Sequence, residues 1–320
     1  MAFTLVDLFC GGGGFTRGFA QEGFKPVLGL DVERAVAETY RVNFSSSKVL
    51  VEDIREVGWW RIEREVDEVD VIIGSPPCEP FTKTNPKRER NPLDRLYKDP
   101  EGQLTLHFIR LVGDLQPKIF VMENVVDAME GPLREALAYE FRRVGFERVF
   151  FDVLRAEHYG TPSKRRRLFV SNIKLAPPRL RKVICVEEAL QGLPDPRSIH
   201  DIPNHVVTPI SERKLKKIAR MKWGDCLVVY PGAKGVFTNY VRLHPRRLAP
   251  VVSGGKRFIH PFEDRLLTVR EQARLMGFPD DHVFLGGREL EYNMVGEAVP
   301  VPLARAIAAE VKKALKSGSF

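Results

Sequence analysis

Cys78 stands in Gly74-Ser75-Pro76-Pro77-Cys78-Glu79-Pro80-Phe81-Thr82, directly after a short apolar run. Two prolines fix the backbone ahead of the sulfur and withhold N–H donors, which suits a thiol aimed at a target. As a thiolate such a side chain is a nucleophile, starting from a free-thiol pKa of about 8.5. A free cysteine is ordinarily a small hydrophobe, and that reading serves for Cys10, Cys185 and Cys226. Cys78 differs by its place at a strand's carboxyl end, in a proline-rich loop. The next apolar run leads into Glu123-Asn124-Val125, a carboxylate at another carboxyl end. Farther on comes Ser163-Lys164-Arg165-Arg166-Arg167, which by itself could be a solvated run guarding a sheet edge. The convergence of Cys78, Glu123 and Arg165 on one edge is what argues for a site.

A second group of residues fits a cofactor. The first apolar strand runs into Cys10-Gly11-Gly12-Gly13-Gly14-Phe15, a strand-to-helix turn that lets a ligand approach the backbone. The dinucleotide fingerprint wants Gly or Ala at its sixth place, and counted from Gly11 that place is Thr16. No pyrophosphate is indicated, so a nicotinamide cofactor loses ground. Asp31, 20 residues past Gly11, ends the second strand where a carboxylate can bond a ribose hydroxyl. Asp53 follows the third strand, placed to accept from an adenine amine. Each acid alone reads as solvated surface and the glycines as a packing turn, but their conjunction fits an adenosine ligand without pyrophosphate. S-adenosylmethionine is such a ligand.

These residues need a scaffold, and the sequence provides one. Apolar runs at 4–9, 26–30, 48–51, 69–73, 118–122, 148–154 and 167–170 alternate with helical spacing at 15–22, 33–43, 104–115 and 133–144. The pattern predicts a doubly wound α/β core, a parallel sheet flanked by helices with ligands beyond the strands' carboxyl ends. After about Ala176 come Pro-Pro, Pro-Asp-Pro, scattered His and Gly-Gly, the signature of a smaller loop-rich domain. Within it 211–223 reads as a basic amphipathic helix capped by Ser211, and 301–315 reads as a helix packing back on the first domain.

Composition narrows the class. With 50 Lys+Arg against 42 Asp+Glu the chain carries +8, and residues 161–222 alone hold 15 basic against 5 acidic side chains. The basic character is therefore confined to one segment, which points to an acidic partner there. No apolar run approaches the roughly 18 residues of a membrane span, and the first ten residues lack a basic leader. Four cysteines without a CxxC pair fit a reduced cytosolic chain and give no metal-ligand spacing.

Taken together, the motifs resemble those of the C5-cytosine DNA methyltransferase family, in its motif order and over most of the chain. Asp7-Leu8-Phe9-Cys10-Gly11-Gly12-Gly13-Gly14-Phe15 is similar to its cofactor loop, Pro76-Pro77-Cys78 to its nucleophile motif, Glu123-Asn124-Val125 to its acid motif. The arginine run resembles its QxRxR motif, and residues 267–280 and 295–308 resemble its last two. The resemblance implies a Rossmann-like methyltransferase core formed by 1–176 and 289–320, with a target-recognition domain at 177–288. It implies that Cys78 attacks cytosine C6, that Glu123 hydrogen-bonds or protonates ring N3, and that Arg165, with Arg167 beside it, holds the base and helps position Glu123. The base would be flipped out of duplex DNA.

For S-adenosylmethionine the resemblance implies contacts from Phe9, Cys10, Gly11, Gly13 and Phe15 in the glycine loop, and from Asp31 and Val32 after the second strand. Asp53 and Ile54, Ser75 and Pro77, and Glu297 and Val299 complete that set. Lys83, Lys87, Arg88 and Arg90 in the loop after the nucleophile, and Lys214 and Lys217 in the basic helix, would touch phosphates. A cognate restriction endonuclease, a monomeric state and a prokaryotic cytoplasm or nucleoid follow from the same resemblance. Glu79 stands where the family usually has Gln, Ser163 replaces the first Gln of QxRxR, Glu297 replaces Asn, and Asp31 stands where Glu is commoner. Pro80-Phe81-Thr82 is similar to the family's tRNA-modifying branch, which keeps RNA methylation as the main rival. A catalytically silent nucleic-acid binder is the other, opposed by the joint presence of Cys78, Glu123 and Arg165.

Overall fold

Apolar runs without alternation become strands buried on both faces, and the central ones here are of that kind. In the computed structural model, which describes residues 2–66 and 68–320, seven strands make one sheet. They are β1 (Thr4–Leu8), β2 (Lys25–Asp31), β3 (Lys48–Val51), β4 (Val71–Gly74), β5 (Ile119–Asn124), β6 (Phe150–Arg155) and β7 (Arg166–Ser171), in the order β3-β2-β1-β4-β5-β7-β6. Helices α1 (Gly14–Gln21), α2 (Arg34–Asn43), α3 (Trp59–Glu63), α4 (Pro92–Tyr97), α5 (Gln103–Leu115) and α6 (Leu133–Arg143) connect the strands up to β6. Alternate side chains of β4 divide between two cores: Ile72 packs with Ile62, Phe108 and Phe141, while Val71 and Ile73 pack with Phe15 and Phe19. Leu303 and Ile307 join the second core from the C-terminal helix α11 (Val301–Ser317), which lies back on α1 as expected.

The sheet departs from the expected parallel arrangement in one strand. β7 inserts between β5 and β6 and runs antiparallel to both. The reason is the link from β6, residues 156–165, which is too short for a crossover helix and can only turn the chain back. The consequence is functional: β7 begins at the edge where β5 ends, so residues 165–167 arrive beside Glu123. The strand order reverses between β1 and β4, which puts the switch-point crevice at the carboxyl ends of these two strands. There Gly74 is required, since a Cβ on it would meet the Leu8 carbonyl oxygen at 2.3 Å.

The second region is less loop-rich than the sequence predicts. Beyond α7 (Val186–Leu190) and α8 (Glu212–Ile218), it builds a small sheet of β8 (Cys226–Pro231), β9 (Val236–Arg242) and β10 (Phe258–Ile259), ordered β10-β9-β8. Two further helices follow, α9 (Val269–Arg274) and α10 (Arg288–Glu297). Ser211 caps α8, its Oγ accepting from the Lys214 N–H at 3.4 Å. The helix stops at Ile218, well short of 223, because the chain turns there and Met221 N–H bonds back to the Ile218 carbonyl. A third core joins Val241, Phe258, Ala273 and Val295 of this region to Val36 of α2 and Val301 of α11. Among the described residues no helix is long and apolar enough to cross a membrane.

Candidate active site

A cleft of about 1400 Å³ opens at the carboxyl ends of β1 and β4 and is walled on the far side by β8, β9 and the 248–256 loop. A single small ligand fills roughly 300–1000 Å³, so this space admits a cofactor and part of a second molecule. Its floor is the glycine turn. Phe9, Gly11 and Gly13 all take positive φ (66°, 52° and 79°), and for Phe9 that conformation is strained, as is common where a backbone must face a ligand. Asp31 holds the turn: its Oδ2 accepts from the Gly11 N–H at 3.0 Å and its Oδ1 from the Glu33 N–H at 3.0 Å. Burial raises its pKa above the usual carboxylate range. Val32, beside it, lines the cleft and is 67% exposed, an apolar face open to it.

Of the residues expected at the cofactor, Phe9, Cys10, Gly11, Phe15, Asp31, Val32, Ser75, Pro77, Glu297 and Val299 line the cleft. The other three, Gly13, Asp53 and Ile54, are not among the residues of its wall. Gly13 lies beneath the turn, facing Phe44, whose ring would be 2.5 Å from a Cβ there. Ile54 is in the core beneath the sheet. Asp53 stays near the surface, where the Arg55 guanidinium holds its carboxylate in a fork (Nη2–Oδ2 2.6 Å) and lowers its pKa.

The reacting end is assembled by three strand ends. After Cys78 the chain turns tightly, the Phe81 and Thr82 N–H groups both donating to its carbonyl at 3.0 Å. Asn124 at the end of β5 ties that loop down, its Nδ2 donating to the Pro76 carbonyl at 3.2 Å. Glu123 is only 5% exposed, yet its Oε1 receives no hydrogen bond. Arg167 Nε lies 3.0 Å from that oxygen as an ion pair whose N–H does not point at it. Arg165 was expected to position Glu123; the structure gives that contact to Arg167. The Arg165 guanidinium instead donates to the carbonyls of Val252 (2.8 Å), Gly296 (2.8 Å) and Glu297 (3.1 Å), clamping the far wall and α10 to the site. Burial, then the neighbouring Arg167, lowers its pKa to about 9.

Electrostatics hold the thiol in reserve. Burial and then the Glu79 charge push the Cys78 thiol up to about 12, against the pull of Arg167 and Arg165. The resting sulfur is therefore protonated rather than a standing thiolate. Glu297 is open to solvent along one side but crowded in the cleft; loss of water there, followed by the charges of Glu79 and Asp31, raises it to about 7.

The expected phosphate contacts separate into four groups. Lys87 and Arg90 are exposed. Lys83 lines the cleft and pairs with Asp127 at 2.5 Å. Arg88 does not stand free: its side chain is 5% exposed, donates to the Phe81 carbonyl at 2.8 Å and faces Glu130 at 3.4 Å. Glu130 also receives Arg95 and, from the β8–β9 turn across the cleft, Lys234 at 3.0 Å, which together hold its pKa near 2. Lys214, on α8, lies over the ring of Tyr240 in β9, and Lys217 is on the same helix, both away from the cleft. Sequence reasoning missed Tyr230, Lys234, Phe237 and Lys256 on the far wall, since neither spacing nor a motif marks them.

An open sheet whose switch-point crevice pairs a glycine turn with a thiol, a carboxylate and guanidinium groups is the architecture of Rossmann-like methyltransferases. The model of the C-5 cytosine-specific DNA methylase family matches residues 3–313. M.MJ0563P of Methanocaldococcus jannaschii is 47% identical over 318 residues, covering 98% of this chain and 100% of its own. The type II methyltransferase M1.HphI of Haemophilus parahaemolyticus is 35% identical over 331 residues, covering 98% and 87%. A prophage-encoded E. coli chain of known crystal structure superposes with a TM-score of 0.77 at 25% identity, covering 98% and 100%. The chain belongs to the C-5 cytosine-specific DNA methylase family and is a methyltransferase.

Proposed function

We propose that this enzyme transfers a methyl group from S-adenosylmethionine to C5 of a cytosine turned out of duplex DNA, through a covalent bond between Cys78 Sγ and C6. The observation that carries the reading is the meeting of Cys78, Glu123 and Arg167 in one cleft with the glycine turn. The residues present fit the cofactor: Asp31 keeps lone pairs for ribose hydroxyls, the turn exposes backbone, and Val32 offers an apolar face. When bound, S-adenosylmethionine supplies an electrophilic methyl group on a sulfonium.

Cytosine C5 is a weak nucleophile, and the chain's residues change that. Glu123, protonated or hydrogen-bonding at N3, draws density from C6 while Arg167 steadies its carboxyl group. Cys78 gives its proton to solvent water as Sγ bonds to C6, and the C5–C6 electron pair shifts toward C4 as N3 takes a proton from Glu123, which leaves C5 an enamine carbon able to take the methyl. Solvent water then takes the C5 proton, those electrons expel Sγ from C6 as a thiolate, N3 returns its proton to Glu123, and the thiolate regains a proton from solvent, which restores the ring and the thiol. Because the resting thiol is protonated, the thiolate forms at the step of attack. The division into a catalytic part at 1–176 and 289–320 and a target-recognition part at 177–288 belongs to the same reading. So do phosphate contacts by Lys83, Lys87, Arg90, Lys214 and Lys217, action as a monomer in a prokaryotic cytoplasm or nucleoid, and a cognate restriction endonuclease, in keeping with the type II methyltransferase M1.HphI.

A trapping experiment tests the covalent step. With fluorine in place of hydrogen at C5 the final proton cannot leave, so a duplex containing 5-fluorocytosine is expected to remain bonded to the enzyme after methylation. Mass spectrometry of the digested complex should then find the nucleotide on the peptide carrying Cys78. Methylation without any denaturant-resistant complex would contradict the covalent route.

A further inference from the structure

The connection between α9 and α10 runs through Phe278-Pro279-Asp280-Asp281-His282-Val283-Phe284, and His282 within it is fully buried. Its imidazole reaches the cofactor turn from below. Nε2 is 2.8 Å from the Gly12 carbonyl oxygen, and Nδ1 is 3.2 Å from Arg17 Nε and 3.0 Å from Arg17 Nη2. A guanidinium only donates, so Nδ1 must accept and the single ring hydrogen sits on Nε2, where it bonds to Gly12. Only the neutral ring in this one tautomer satisfies both neighbours. Burial, followed by the charge of Arg17, pushes its pKa down to about 3, the direction the geometry requires.

The carbonyl it holds lies between Gly11 and Gly13, both in the left-handed region. Asp31 grips the preceding N–H from one side and His282 this carbonyl from the other. The loop that carries the ring is itself fixed to α2. Asn43 Nδ2 donates to the Val283 carbonyl at 2.7 Å, and its Oδ1 accepts from the Val283 N–H at 2.9 Å. Thr39 Oγ1 accepts from the Leu285 N–H at 2.9 Å. Phe278 and Phe284 enclose the ring at centroid distances of 4.7 and 5.0 Å. A histidine that served only to fill a core would not need to bond to the glycine turn that lines the cleft.

We propose that His282 is a positioning residue of the cofactor site, a neutral Nε2–H imidazole that fixes the Gly12 carbonyl and with it the turn that receives S-adenosylmethionine. The inference rests on reading the cleft as the site of that cofactor. It also gives the 279–285 loop, on the far side of the sequence from the glycine turn, a direct share in cofactor binding.

The test is calorimetric titration of the whole protein with S-adenosylmethionine, alongside steady-state methylation. His282→Phe keeps a ring among the phenylalanines and removes both hydrogen bonds. Its affinity for the cofactor is expected to fall about tenfold or more, the scale of a buried acceptor left unsatisfied. The kcat at saturating cofactor and the KM for DNA should stay within about twofold. His282→Gln, which returns a donor near the Nε2 position and an acceptor for Arg17, should recover most of the affinity. If the phenylalanine variant does not fold, His282→Asn, whose amide is too short to reach Gly12, is set against His282→Gln. Tighter binding by the glutamine variant supports the assignment, and equal binding overturns it. A folded His282→Phe that binds like the parent, or one that loses kcat and DNA KM as much as cofactor affinity, overturns it as well. A parent protein that does not bind S-adenosylmethionine overturns the cofactor reading and this inference together, which separates the two failures.

Discussion

Cys78→Ala is expected to abolish methyl transfer while S-adenosylmethionine still binds with the parent's affinity. The side chain lies in a cleft wall and makes no hydrogen bond that the fold depends on, and its loop is held by the Phe81 and Thr82 N–H groups and by Asn124. Removal of a covalent nucleophile costs on the order of 10⁶-fold in kcat where no alternative nucleophile stands by. Transfer of labelled methyl to DNA reads the loss, and calorimetry with the cofactor shows that the cleft survives; an active alanine variant would remove Cys78 from the mechanism. The same thiol gives a pH signature. With its pKa raised to about 12, alkylation by iodoacetamide should be slow at neutral pH and rise steadily with pH well past the free-cysteine range. Glu79→Gln, which removes the second-largest cause of that rise, should shift the alkylation profile to lower pH.

Glu123→Gln is expected to lower kcat by roughly 10²- to 10⁴-fold, the range of a lost general acid–base group. Glutamine keeps the volume of a side chain that is 5% exposed, so packing is retained. What it cannot do is deliver a proton or carry the charge that faces Arg167 at 3.0 Å. Oε1 meets Arg167 only as an ion pair and receives no directed hydrogen bond, which leaves the carboxyl group able to engage a further donor in the cleft. Cofactor affinity should be unchanged and the loss should fall on kcat. Equal losses in kcat, cofactor binding and thermal stability would instead mean that Glu123 serves the fold.

Much of this was legible in the sequence because the residues that act sit at strand ends, and strand ends are where apolar runs stop. Cys78, Glu123 and Asp31 were each found that way, and each lines the cleft. The arginines stand out as a run, but the contact expected of Arg165 falls to Arg167: the antiparallel β7 brings Arg167 to Glu123 while Arg165 reaches the carbonyls of α10 and the far wall. That direction follows from the shortness of the 156–165 link, which the apolar pattern of the strands alone does not reveal. Asp53 reads from the sequence like Asp31, and its pairing with Arg55, two residues on, shows only in the fold. The β8 run Cys-Leu-Val-Val-Tyr-Pro is apolar throughout, yet its last four residues are exposed, so it does not follow the pattern of the buried strands of the main sheet. His282, a single histidine after two aspartates, carries no mark of its role until the fold brings Gly12 and Arg17 to it.

The measurement that bears most directly on the central claim is bisulfite sequencing of genomic DNA from a host expressing the protein, with the Cys78→Ala variant in parallel. Protected cytosines confined to one short sequence context, and absent with the variant, are the predicted result. Complete conversion of every cytosine, with methyl label recovered in tRNA, would contradict it.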